Sequence, residues 1–432
     1  MIRKPFFQAV LPSLLAFAFS GVYAIVDGLF VGQATGDKGL AAINLAFPIT
    51  ALLLALGTGL GMGGAVQIAI SKGKQDKDAE GRFFFHTIAL LLITCVLATA
   101  GLFAAADPLL RFFGAQGELF PLAQSYIIPI LIGATFQILA TGLVPIVRNY
   151  DGAFLAMVTM IAGFLTNVVL DWLFIMVLPW GIAGAAIATA IGQAVTTIPC
   201  IVFLLRRGPK KPPRQLSFRQ MGAILAVGLS PFGLTLSPNL VIVIMNKAAL
   251  AYGGNDAVAV YAIISYLICI VQLLLQGVGD GCQPLISLHY GAQNKPAVKQ
   301  LLRMAYGFAF FIALLGMTVF FLLLRPIVGI FGASPGVSQT VVEILPLWIW
   351  AFPLYALLRI TTSYFYAVKK NAFAYPLIYG EPILMTLLLL FLLPRLWGLM
   401  GVWYASLVTA GLLTLLAIPL LILQRKQENA SI

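Results

Sequence analysis

GGAVQIAISKGKQDK, residues 63–77, closes an apolar run and reappears in altered form as GCQPLISLHYGAQNK at 281–295. A constant offset of 218 pairs Gly63 with Gly281, Ser71 with His289, Gly73 with Gly291 and Gln75 with Gln293. The same offset sets DPLLRFFGA at 107–115 against RPIVGIFGA at 325–333, and near the ends of the halves WGIAG at 180–184 meets WGLMG at 397–401 at offset 217. The chain reads as one unit written twice.

What is repeated is apolar. Of 432 residues, 61% are hydrophobic and 9% charged, and the mean hydropathy is +1.00. That balance cannot dress a soluble surface and places the chain in a membrane. Each crossing needs roughly 20 residues, and twelve such segments follow one another near 8–32, 41–70, 83–106, 119–147, 153–177, 182–205, 221–251, 257–289, 303–325, 338–366, 372–394 and 399–423. Pro12, Pro145, Pro238 and Pro284 are expected kink sites. The first segment is longer than a signal-peptide core and lacks a clean cleavage site, so it is read as retained. Cys95, Cys200, Cys269 and Cys282 fall in four different segments, which suggests apolar packing rather than a disulfide framework or a metal site.

The net charge of +12 is a topology signal. Numbering the loops alternately puts Arg3, Lys4, Lys72, Lys74, Lys77, Arg82, Arg148, Arg206, Arg207 and most other basic residues on one side, and leaves only Lys38, Arg111, Arg325 and Arg395 on the other. By the positive-inside rule the basic side is cytoplasmic, as are both termini. No nucleic-acid partner is implied. The longest basic loop, RRGPKKPPRQLSFRQ at 206–220, separates residues 1–205 from 221–432. Six spans per half leave the halves parallel, with a pseudo-twofold axis along the membrane normal and a cavity between two bundles, as alternating access requires.

Ionisable groups inside the membrane are expensive and mark function by default. Asp27 and Asp171 each lie seven residues before an outer turn, about 10 Å deep at 1.5 Å per residue. Thr189 lies eight residues past its own turn, about 12 Å deep. Tyr23 and Asn167 sit one helical turn below the two acids on the same faces. Oxygen-rich clusters of this kind can hold a hard cation such as Na⁺, or a proton shared between neighbouring carboxylates. The alternative is that each acid caps a broken helix or binds a neighbour's backbone.

AGFLTNVVLDWLFIMVLPWGIAGAAIATAIGQ at 162–193 resembles the fifth and sixth helices of the multidrug and toxic compound extrusion (MATE) family. QPLISLHYGAQN at 283–294 and IVDGLFVGQATGDKGLAAINLAFPI at 25–49 resemble its eighth-helix end and its first hairpin. The resemblance implies an all-α fold of two V-shaped six-helix lobes that exports cationic or amphipathic compounds in exchange for Na⁺ or H⁺. It also implies an N-lobe cation site at Asp27, Asn167 and Asp171, with Thr189 as the matching sixth-helix threonine. Branches with acids in the seventh and tenth helices are not matched: those helices offer Asn239, Asn246, Lys247 and Arg359, and Glu343 looks interfacial.

The second half has charges of its own. Arg359, Asp280 and Glu381 each lie ten or eleven residues from a basic-side loop, about 15 Å deep, and read first as a structural or gating ion pair. Lys247 is expected to snorkel, and His86 and His289 to sit at the basic interface. The glycines of LGTGLGMGG at 56–64 permit close helix approach. That stretch is not a nucleotide loop, since no strand precedes it and no lysine and serine follow in the right spacing. Nothing in the sequence suggests an enzyme or a cofactor. The expected protein is a monomeric ion-coupled multidrug exporter of small organic compounds; the alternative is a flippase for a lipid-linked saccharide or cell-wall precursor.

Overall fold

The structure, a computed structural model, describes residues 2–211, 215–331 and 334–430, with the side chains of residues 24, 25, 27–29, 33–35, 37, 390, 425 and 428–430 left aside. Among the described residues it is helical throughout, with no strand. The helices are α1 (Arg3–Gly73), α2 (Lys77–Phe112), α3 (Leu119–Ile132), α4 (Ala134–Asn149), α5 (Ala153–Asp171), α6 (Gly181–Arg207), α7 (Phe218–Gly291), α8 (Lys295–Leu322), α9 (Leu324–Gly329), α10 (Pro335–Ile349), α11 (Phe352–Ala367), α12 (Asn371–Leu387) and α13 (Leu393–Ala430). Two π-helical segments, Trp172–Val177 and Leu388–Leu392, continue α5 and α12.

Among the described residues eight helices are long and apolar enough to cross a bilayer, and ten when each bent pair, α3 with α4 and α10 with α11, counts as one span. The 74 residues of α7 would run about 111 Å as one helix, so its break at Gly254 makes it two spans. The 17 residues of α12, extended by their π segment, bring the described spans to twelve.

The repeat seen in the sequence returns as backbone conformation. Among the described residues eight of the ten positive φ angles fall in pairs: 63° at Gly36 and 66° at Gly254, 59° at Gln75 and 56° at Gln293, 62° at Asp151 and 60° at Lys369, 60° at Gly181 and 55° at Gly398. The bent spans also correspond, at 55° and 48°. The duplicated stretch is itself a helix-turn device. Asp76 and Asn294 accept from the backbone N–H of Ala79 and Ala297 at 2.8 and 3.1 Å, capping α2 and α8, while their own N–H groups close the preceding helices onto Ser71 and His289.

Gly73 and Gly291 explain why glycine recurs there. A Cβ at Gly73 would lie 2.0 Å from the Leu288 carbonyl oxygen, and one at Gly291 would lie 2.2 Å from that of Ile70. Ile70 and Leu288 are themselves repeat partners, so the contact is reciprocal, as about a twofold axis. The second span meets the seventh at Gly59, Gly63 and Gly228, and the first meets the eighth at Gly277 and Gly281. All of these approaches lie in the part of the bundle nearer the basic loops. Two apolar cores flank the seam: one runs from Val31 to Leu204, and the other is built from α7 to α13 with Phe6, Val10, Met62, Val66 and Ile70 of α1.

The expected proline kinks are not where the helices break. The backbone stays helical through Pro12, Pro145, Pro238 and Pro284. The bend in the fourth span falls instead at Gly133, where a Cβ would lie 2.5 Å from Ala190 Cβ of α6. A different proline precedes each break by one turn, Pro129 before Gly133 and Pro346 before Trp350.

Candidate functional site

Near the end of α5 furthest from the basic loops, Asn167 ties three spans together. Its amide nitrogen donates to Asp171 Oδ2 at 2.9 Å and to the Tyr23 hydroxyl at 3.2 Å, and its oxygen accepts from the Thr189 N–H at 2.9 Å and the Thr189 hydroxyl at 3.3 Å. The reverse amide orientation would face oxygen to acceptors and nitrogen to donors. Asn167 thereby uses its full hydrogen-bonding capacity. Both Asn167 and Asp171 are buried, and the Tyr23 ring stacks on Phe164 at 5.2 Å. A narrow cleft of about 10 Å³ lies beside them, lined by Tyr23, Asn167, Thr189, Gln193 and Thr196. Asp171 is the last α-helical residue before the π segment, where Leu178 N–H reaches back to Leu173 at 2.9 Å; such segments recur at functional sites. Asp27 lies on the same first span, within α1, but its side chain is outside the described residues.

The oxygens on offer suit a hard monovalent cation or a proton. The Asn167 carbonyl already accepts two bonds from Thr189, so it would have to release them to ligate an ion. Asn167 links Asp171 to Tyr23 of α1 and to Thr189 of α6. Among the described residues no group of three or more His, Cys, Asp or Glu side chains is placed to hold a metal.

The three charges of the second half do not form the expected ion pair. Among the described residues no nitrogen–oxygen pair within 4.0 Å joins Arg359 to Asp280 or Glu381. Asp280 instead accepts the Tyr366 hydroxyl at 3.0 Å, and Ser363 Oγ lies 3.4 Å from that hydroxyl. Arg359 and Glu381 line one small cavity of about 50 Å³, beside Ser237, Gln272 and Tyr355.

Two residues escaped the sequence reading. Arg148, counted there as a loop charge, is buried in the last turn of α4. It reaches Met160 Sδ at 3.7 Å, lies 5.7 Å from the Phe17 ring centre, and attracts the Asp280 carboxylate across the seam between the halves. Next to it, Asn149 donates to Gln283 Oε1 at 3.2 Å, a second link across that seam. His86, expected at the interface, is also buried. Its Nδ1 faces the Arg82 carbonyl at 2.6 Å and its Nε2 accepts the Ser217 N–H at 2.7 Å, fastening the end of the linker to α2. The middle of that linker, residues 212–214, lies outside the described residues. Lys247 and Glu343 are exposed, His289 is half-buried, and Asn239 donates to its own helix at the Thr235 carbonyl. The four cysteines are free, with Cys269 alone exposed.

The profile of the MatE family matches residues 12–173 and again residues 235–376. One match falls on each copy of the repeat. The chain belongs to the MATE family. It is 24% identical to the multidrug export protein MepA of Staphylococcus aureus (strain bovine RF122 / ET3-1), over 98% of this chain and 95% of that protein. The MepA of Staphylococcus saprophyticus is 23% identical over 96% and 92%. Among solved structures, a multidrug resistance MATE family transporter of the MOP superfamily, described in an outward-facing conformation, superposes with a TM-score of 0.89 at 25% identity, covering 99% of this chain and 96% of that one. A MATE-family chain is a transporter embedded in the membrane by many helices, and not an enzyme.

Proposed function

We propose that this chain is a multidrug efflux antiporter that exports cationic or amphipathic organic compounds, as the name of its MepA relatives suggests, in exchange for Na⁺ or H⁺. The coupling ion sits at Asp27 and Asp171, with Asn167, Thr189 and Tyr23 as the shell that responds to it. The observation that carries this reading is the set of four hydrogen bonds around Asn167. A proton or cation at Asp171 weakens the carboxylate's hold on the Asn167 N–H. The amide is then freer to change its bonds to Tyr23 and Thr189, which belong to two other spans. Ion occupancy thus acts on helix packing rather than on one side chain.

Residues 1–205 and 221–432 serve as the two moving lobes, joined by the linker at 206–220. With the basic loops cytoplasmic, both termini are inside, and close approach of the halves at Gly73, Gly291 and Asn149–Gln283 is what an outward-facing state requires. Opening inward has to part those contacts and expose Arg148 and Asp280.

The test is dye-cation uptake into proteoliposomes under separately imposed Na⁺ and pH gradients. Wild-type uptake should follow at least one gradient, and Asp171→Asn should lose it at equal reconstitution. Normal gradient-driven uptake by Asp171→Asn would refute the site. Where both ions drive transport, each should weaken the binding of the other by the same factor, because linkage is reciprocal.

A further inference from the structure

The linker between the halves is held down at both ends, and its charges face no carboxylate. At its start a Cβ on Gly208 would lie 3.0 Å from the Phe84 ring, and one on Gly81 would lie 3.7 Å from Pro209 Cβ and 3.9 Å from the Lys211 carbonyl oxygen. At its end the Ser217 N–H donates to His86 of the same helix, α2. The two described ends of the linker therefore lie along the beginning of α2. The 27 residues of α6 run about 40 Å, longer than the roughly 30 Å of hydrocarbon. Its last turn, and the linker that follows, stand among the lipid headgroups.

At that height Arg206, Arg207, Lys210, Lys211 and Arg219 are exposed, and among the described residues no carboxylate lies within 4.0 Å of any of them. No acidic residue occurs between 206 and 220. Leu216 and Phe218 stand beside them, 58% and 91% exposed. A ring left so bare at this height gains by entering the boundary between headgroups and acyl chains. On α6, Ile198, Val202 and Arg206 are four apart and share one face, and all three are exposed. The halves meet at this end of the bundle, so an exposed face here borders lipid rather than a cavity between them. An apolar track thus leads straight to a guanidinium, which is the shape of a phospholipid and not of a free phosphate.

We propose that the linker and the end of α6 form a docking surface for anionic phospholipids of the adjoining leaflet, with phosphates on Arg206, Arg207 and Lys211 and an acyl chain along Ile198 and Val202. Arginine takes phosphate oxygens in pairs through its planar fork, and basic residues clustered beside a span draw anionic lipid by their summed charge. Fastening to α2 orders these charges at headgroup height before a lipid arrives, which lowers the cost of binding it. Lipid docking needs only that α6 crosses the membrane, and is independent of the coupling site.

Phe218→Trp puts a reporter beside the basic cluster while keeping an aromatic ring there. The full chain is reconstituted in mixed phosphatidylcholine and phosphatidylglycerol vesicles with one or the other lipid brominated. Quenching of the added tryptophan, after subtraction of the wild-type signal, gives the relative lipid affinity at that place. Phosphatidylglycerol should bind there about fivefold more tightly than phosphatidylcholine, the contribution of roughly one basic side chain at an anionic surface. The preference should fall as salt screens it, and Arg206→Gln, Arg207→Gln and Lys211→Gln together should bring the two lipids level. Equal quenching by the two lipids at low salt overturns the proposal without any further variant. So does a preference that survives the three substitutions or is unmoved by salt. Asp171→Asn should keep the lipid preference. A failed coupling site shows as normal gradient-driven uptake by Asp171→Asn, and failed lipid docking as equal quenching.

Discussion

Carried across the repeat at offset 218, Tyr23, Asp27, Asn167 and Asp171 of the first half fall on Val241, Met245, Met385 and Leu389 of the second, all buried in apolar core. In the other direction Glu381 falls on Gly163, where a Cβ would lie 2.2 Å from Thr196 Oγ1, and Arg359 falls on Thr141. The paired φ angles show that the backbone was kept, and these substitutions show that the polar groups were not. A duplicated scaffold need hold only one copy of an expensive intramembrane charge cluster. The other half is then free to bury apolar side chains at those positions and to place different charges elsewhere.

The largest expected effect tests that asymmetry directly. Asp171→Asn should abolish coupled efflux while leaving the protein in the membrane. Leu389→Asn, at the equivalent place, should leave coupling to the same ion and cost only stability, about 1–3 kcal/mol for an amide buried among apolar groups. Loss of gradient-driven dye transport in both variants at equal expression would mean that position in the repeat, rather than the carboxylate, matters.

Repeat positions 148 and 366 diverged in identity yet converged on one target. Arg148 and Tyr366 both address Asp280, one through its charge and the other through a hydrogen bond. Removing one partner of a buried charge pair costs about 3–5 kcal/mol, whereas losing a buried hydroxyl bond costs about 1–3 kcal/mol. Arg148→Met should therefore lower the melting temperature more than Tyr366→Phe. Adding Asp280→Asn to Arg148→Met should restore part of the loss, since the stranded charge is gone. Strictly additive losses in thermal melts would place the compensation of Asp280 on Arg359 instead.

These charges also mark where the sequence stops being informative. Spans and repeat could be read because hydropathy and a constant offset need no third dimension. The grouping of Tyr23, Asn167, Asp171 and Thr189 could be read because turns fix height and a spacing of four fixes a face. Distance from the loops could not pair Asp280 with its partner, because it says nothing of which way each helix faces. Tyr366 carries no signal in the sequence, and Arg148 was miscounted because assigning charges to loops treats the last turn of α4 as outside, while that turn is buried against Phe17 and Met160. The break at Gly133 was missed because Pro145 was weighed as the kink of that span, whereas the proline one turn before the break is Pro129.

Where the halves touch, the effect should be smaller and steric. A Cβ at Gly228 would lie 2.5 Å from the Gly59 carbonyl oxygen, whereas one at Gly222 meets nothing within 4 Å. Gly228→Ala should wedge the seam and cost about 1–3 kcal/mol, seen as a lower melting temperature and a greater population with the basic end parted. Gly222→Ala, on the same helix, should be neutral or slightly stabilising, since alanine restricts the unfolded chain. Equal melting temperatures for the two variants would mean that the contact at Gly59 yields readily.

The smallest effect concerns the paired corners at Asp151 and Lys369, both left-handed, with φ of 62° and 60°. A lysine gains nothing from that conformation, whereas asparagine adopts it readily. Desolvation against the protein, and then the neighbouring charge of Lys74, push the Lys369 ammonium below the usual lysine range. A lysine whose pKa is lower folded than unfolded destabilises the fold while charged. That cost is complete below the folded value and fades as pH rises through it toward the ordinary lysine value, because in that window the unfolded chain binds more protons. Lys369→Asn should therefore raise the melting temperature slightly at pH 7, by no more than about 0.5 kcal/mol for an exposed position, and its advantage over wild type should shrink on alkaline titration. Asp151→Asn at the other corner removes no ammonium and should show no such pH-dependent difference. An advantage of Lys369→Asn that stays constant up to alkaline pH would assign the whole gain to backbone conformation, making the two corners equivalent.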